Sequence, residues 1–136
     1  MRTILFALLF FGITAQAQEK LVYNSKHLPK ADTVWVFTPK NYNEQQKLPL
    51  IYMLHGHGGN YTNWHRIMNA QKYADEYGFI IVCPDGLINS WYLNSPVNPK
   101  RQFETFFFKE LFPDILKKYK ADEKTIFITG LSMGGH

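Results

Sequence analysis

Thr125-Ile126-Phe127-Ile128-Thr129-Gly130-Leu131-Ser132-Met133-Gly134-Gly135-His136 is the stretch that decides how the rest of the chain is read. Residues 125–129 are β-branched or aromatic, and such side chains favour an extended strand. Gly130-Leu131-Ser132-Met133-Gly134 then fits G-x-S-x-G. In the nucleophile elbow that carries this pattern, a strand breaks sharply into a helix and lifts a serine hydroxyl above the sheet edge. The flanking positions must be glycine because a Cβ at either would collide with neighbouring backbone. The helix expected to follow points its free N–H groups at the serine. A plain glycine-rich turn is the alternative, and the strand directly before it is the context that favours the elbow.

Upstream, Leu50-Ile51-Tyr52-Met53-Leu54 and Phe79-Ile80-Ile81-Val82-Cys83 are almost wholly apolar, as strands buried on both faces are. The first runs into His55-Gly56-His57-Gly58-Gly59-Asn60. A glycine-rich turn after a central strand lets backbone approach a ligand and aims N–H groups inward. A simple loop is the alternative. His55 and His57 alternate on an extended backbone and point opposite ways, with no carboxylate or cysteine nearby, so no metal site is expected. Cys83, the one cysteine, rules out an intrachain disulfide and a thiolate cluster. On its buried strand it reads as a small core hydrophobe.

Trp64, Ile67, Met68, Ala70, Ala74 and Tyr77 recur at helical spacing, and Gly78 stands where a helix ends. Phe103, Phe107, Leu111 and Ile115 predict a second helix covering the sheet, which Pro113 should kink or break. Between them, Pro84-Asp85-Gly86 marks a turn, and residues 87–101 have no period. Trp91 and Tyr92 in that loop suit a platform for a sugar or an aromatic acyl group. Equally, they pin the loop to the core. Residues 20–26 and 33–38 predict two further strands, with residues 40–47 as a loop between hairpin partners.

Residues 1–17 read as a secretory signal peptide: Arg2, an apolar run from Ile4 to Ile13, then Ala15-Gln16-Ala17 as a cleavage site. The run falls short of the roughly 20 residues that span a bilayer. A secreted or periplasmic protein without stable membrane insertion is therefore expected. Residues 18–136 are read as one domain. The 15 basic and 11 acidic side chains give +4, and the basic ones are dispersed, which argues against a nucleic-acid partner.

Strands alternating with helices imply βαβ units, hence an α/β fold with a mostly parallel sheet covered on both faces. Sites in such sheets form outside the carboxyl ends of the strands. The turn after Leu54, the loop after Asp85 and Ser132 all follow carboxyl ends.

Leu54-His55-Gly56-His57-Gly58-Gly59, Pro84-Asp85-Gly86 with Ser90-Trp91-Tyr92 and Asn94-Ser95-Pro96, and the elbow together resemble the esterase D and feruloyl-esterase-like branch of the α/β-hydrolases. The resemblance runs from about Val34 onward, in the right order. It implies an α/β-hydrolase fold and a serine nucleophile, Ser132, acting through an acyl-enzyme. It also implies an oxyanion hole from the backbone N–H groups of Met133 and His57. No cofactor is implied. The substrate implied is an ester, small or part of a polysaccharide, with feruloyl or acetyl groups on carbohydrate foremost. Acyl transfer on the same fold is the nearest alternative, and a non-catalytic carbohydrate-binding protein the more distant one. In this fold the acid and the histidine follow the serine. Only four residues follow Ser132 here, so the chain is read as a truncated, N-terminal part of such a domain, inactive alone.

Overall fold

The structure, a computed structural model, describes residues 17–136. The signal-peptide reading, apart from Ala17, lies outside the described residues. Five strands form one sheet: β1 (Gln18–Tyr23), β2 (Asp32–Phe37), β3 (Leu50–Leu54), β4 (Ile80–Pro84) and β5 (Ile126–Gly130), in the order β1-β2-β4-β3-β5. β4, β3 and β5 run parallel, with Leu50 opposite both Ile80 and Ile126. The β1–β2 hairpin extends this sheet antiparallel, Val34 facing Pro84.

Period-two alternation splits the core in two. Val34, Val36, Leu50, Tyr52, Ile80 and Val82 face one layer of helix, while Phe37, Met53, Ile81 and Cys83 face the other. The first layer is α3 (Phe103–Phe106), a π-helical segment (Phe107–Leu111) and α4 (Phe112–Tyr119), whose Phe103, Phe106, Leu111 and Ile115 are buried. The second is α1 (Asn63–Met68) and α2 (Ala70–Tyr77), which bring Trp64, Met68, Ala70 and Ala74. Burial raises the Cys83 thiol to about 12, in keeping with an inert core residue. No helix among the described residues is long and apolar enough to cross a membrane.

Three local expectations change. The helix read over 64–77 is two, because Asn69 at φ 53° ends α1 and caps α2. Pro113 sits in the first turn of α4, where a missing N–H is harmless. The irregularity lies just before it, where the Phe112 N–H donates to Phe107 O, five residues back. The strands flanking residues 40–47 are not hairpin partners. β4 lies between them, because the α1–α2 crossover returns the chain beside β3 and β5 takes β3's other edge. β5 is partly exposed. It is an edge strand with Phe127 49% and Ile128 53% exposed. The elbow leads into a short 3-10 turn, Ser132–Gly135.

Candidate active site

Three turns meet at the carboxyl ends of β3, β4 and β5. In the last of them Ser132 has φ 53°, a left-handed backbone that a non-glycine residue adopts only when its surroundings impose it. Here the surroundings are backbone. A Cβ at Gly130 would lie 2.0 Å from Gly134 O, and one at Gly134 would lie 2.4 Å from Leu54 O. The Leu131 N–H donates to Leu54 O at 3.1 Å, and the Gly134 N–H to Leu131 O at 2.9 Å. The elbow is thus pressed onto the end of β3 with no room for a side chain between them. Met133 is buried and anchors the turn from beneath.

The turn after β3 abuts it. A Cβ at Gly56 would come within 3.4 Å of the Ser132 Cβ. His57 follows with its side chain exposed. The N–H groups of Gly58 and Gly59 are used, donating to Ile88 O at 2.9 Å and Gly56 O at 3.1 Å. Those of His57 and Met133 donate to no acceptor among the described residues. One unused N–H therefore follows Ser132 in the elbow and the other lies on the turn that abuts it, the composition an oxyanion hole requires.

Trp91 and Tyr92 part company. Both have positive φ, 54° and 57°, so the chain turns sharply there. Tyr92 points inward: its hydroxyl donates to His55 O at 3.0 Å, and its ring meets Phe103 edge-on at 5.1 Å. Burial raises its hydroxyl above the usual tyrosine range. Trp91 points outward, 48% exposed, with its ring 5.5 Å from that of His136. It separates two open grooves. One, of about 380 Å³, runs past Glu104, Met133 and His136; the other, of about 480 Å³, past Asn94, Asn98 and Arg101.

Three polar residues to which the sequence assigned no role lie beneath these turns. His55 is 1% exposed, with Nδ1 2.6 Å from Gly56 O and Nε2 in contact with Asp85 O. Asp32 is fully buried, and its carboxylate accepts from the N–H groups of Asp85 at 3.3 Å and Gly86 at 3.2 Å. Burial, then the negative charge of Asp85, raise the Asp32 carboxyl to about 7, against the lowering effect of those two N–H groups. The Asp85 carboxylate meets Lys30 Nζ at 3.4 Å. The one available signal was a histidine continuing a doubly buried strand, which must find polar partners in the core.

Residues 25–136 match the Esterase family, described as "Putative esterase". The chain belongs to this family. Among the relatives of this esterase-family chain is feruloyl esterase B of Neurospora crassa, 28% identical over 115 residues, 76% of this chain and 39% of that protein. An acetyl esterase of Caldicellulosiruptor saccharolyticus is 31% identical over 129 residues, 84% and 46% of the two chains. A solved ferulic acid esterase superposes with TM-score 0.74 at 30% identity, covering 87% of this chain and 50% of that one. The fold is that of the α/β-hydrolases. The chain spans half the length of these relatives, or less.

Proposed function

We propose that this chain carries the nucleophile and the oxyanion hole of an exported serine carboxylic-ester hydrolase that acts on feruloyl or acetyl esters of carbohydrates. The observation that carries the reading is Ser132 held at φ 53° by backbone packed against Gly130 and Gly134. A turn that stores strain around one exposed hydroxyl has a use in nucleophilic attack and none in passive binding.

In this reading the Ser132 Oγ attacks the ester carbonyl carbon while a general base takes its proton. The carbonyl oxygen becomes an anion, which the N–H groups of Met133 and His57 stabilise. Collapse expels the alcohol and leaves the acyl group on Ser132, and water then releases the acid. The base and its orienting acid are not assigned to residues described here. His55 is excluded as that base because both ring nitrogens are engaged beneath the turn. Trp91, exposed between two grooves, serves as the platform for a sugar or aromatic acyl group, and Tyr92 holds its loop in place. Relatives named feruloyl and acetyl esterases support the choice of acyl group. The leader-like residues 1–17 support export.

The test is Ser132→Ala in the protein encoded by the complete gene, with p-nitrophenyl acetate and methyl ferulate as substrates. Turnover should fall to roughly 10³–10⁴ above the uncatalysed rate, the residue left when a triad member is removed. Near-normal turnover in the alanine variant would overturn the nucleophile assignment.

A further inference from the structure

The peptide that joins Gly56 to His57 has two polar ends, and the oxyanion reading uses only one. Its N–H belongs to His57; its carbonyl is Gly56 O, which His55 Nδ1 meets at 2.6 Å. A peptide is planar and trans, so its C=O and N–H point in opposite directions. Whatever grips the carbonyl from below therefore aims the N–H above.

The grip is itself well founded. Gly59 closes over the imidazole so tightly that a Cβ there would stand 2.8 Å from Nδ1. The other ring nitrogen contacts Asp85 O, across the gap to the turn after β4. The Asp85–Gly86 peptide is held in turn, the Gly86 N–H donating to the Asp32 carboxyl at 3.2 Å. The contact with Gly56 O needs the ring proton on Nδ1, and a ring carrying it there donates to that carbonyl. Donation to Gly56 C=O also polarises that peptide and strengthens its N–H as a donor.

We propose that His55 is the positioning residue of the oxyanion peptide: its Nδ1–H holds Gly56 C=O so that the His57 N–H points at the developing oxyanion. The proposal rests on the esterase reading for its catalytic consequence. A donor acts on the transition state only within about 2.7–3.1 Å of the oxyanion, and a misplacement near 1 Å costs about 10²-fold.

Two amides separate this from a general structural role. The asparagine side-chain nitrogen takes the place of Nδ1, and that of glutamine the place of Nε2. In the protein from the complete gene, His55→Ala and His55→Gln should lower kcat about 10- to 100-fold with KM within twofold. His55→Asn, keeping the donor to Gly56 O, should return to within about threefold of wild type. A ring that merely fills space would rank glutamine at or above asparagine, and that order would overturn the proposal. Unchanged kcat in the alanine variant would overturn it too. Ser132→Ala runs beside these as the control for turnover itself. Should wild type show no turnover that this control removes, the esterase reading has failed. Hydrogen exchange at the His57 amide then decides for His55: faster in the alanine and glutamine variants but not in asparagine supports the grip, and equal rates in all four refute it.

Discussion

The turns after β3 and β5 lie against each other and are rich in the same residue, yet they are held by different means. Residues 130–135 are fixed chiefly by backbone, with Gly130 against Gly134 and Gly134 against Leu54, over the buried Met133. Residues 55–59 are fixed by polar side chains from below: the His55 ring on Gly56 O and Asp85 O, and the Tyr92 hydroxyl on His55 O. Steric contact is short-ranged and indifferent to pH. A hydrogen-bonded brace can lose one contact at a time and so fails in steps. The elbow should therefore break all at once, and the oxyanion turn by degrees.

The largest expected effect is at Gly134. Its missing Cβ faces Leu54 O at 2.4 Å, Leu54 C at 2.7 Å and His55 O at 2.8 Å, all backbone of β3 or its end. None can retreat without moving the strand, so Gly134→Ala should cost about 4 kcal/mol, beyond the usual range for overpacking, and should abolish turnover. Gly58→Ala is the contrast. Its φ of 76° strains an alanine, but nothing lies within 4 Å, so the cost should be about 1–2 kcal/mol. Denaturant midpoints of both variants check the pair, and equal costs would show that packing does not hold the elbow.

The contact of Gly130 with Gly134 was legible because it is local: residues 130 to 134 carry both sides of it. The alternation that assigns Val34, Tyr52 and Val82 to one face and Phe37, Ile81 and Cys83 to the other was legible for the same reason. The brace was not. His55 meets partners 30 and 37 residues away, and no spacing rule joins them. The π-helical segment was hidden because residues 103, 107, 111 and 115 recur alike with or without one wide turn. The exposure of β5 depends on what lies beside it, which its own apolar residues do not record.

The second effect is a dependence on pH and belongs to the third turn, after β4. Asp32 sits under the turn after β4, its carboxyl raised from 3.8 to about 7. Between those values the folded protein holds a proton that the unfolded chain has released. Stability contributed by this group is therefore greatest below about pH 4 and is lost as pH rises towards 7. The loss is on the order of 4 kcal/mol. Asp32→Asn keeps an acceptor for one of the two N–H groups and carries no charge, so it should lower stability throughout and flatten this dependence. Unfolding free energies of both proteins from pH 4 to pH 8 decide it. The asparagine variant should gain on wild type with rising pH, and parallel curves would show that Asp32 does not titrate as a buried group.

The smallest effect is at Tyr92, and it sharpens what the brace contributes. Tyr92→Phe removes one hydrogen bond, from the hydroxyl to His55 O at 3.0 Å. The ring's edge-on contacts with Phe103 at 5.1 Å and His55 at 5.8 Å remain. A neutral hydrogen bond of this kind contributes about 1 kcal/mol, so the unfolding free energy should drop by that amount. The His55 ring keeps its own two contacts, so the Gly56 carbonyl stays held and kcat should fall less than about threefold. KM should not move, because the hydroxyl faces the protein rather than the groove. A rise in KM with stability unchanged would mean that the hydroxyl handles substrate, and Tyr92 would then join Trp91 in the binding platform instead of the brace.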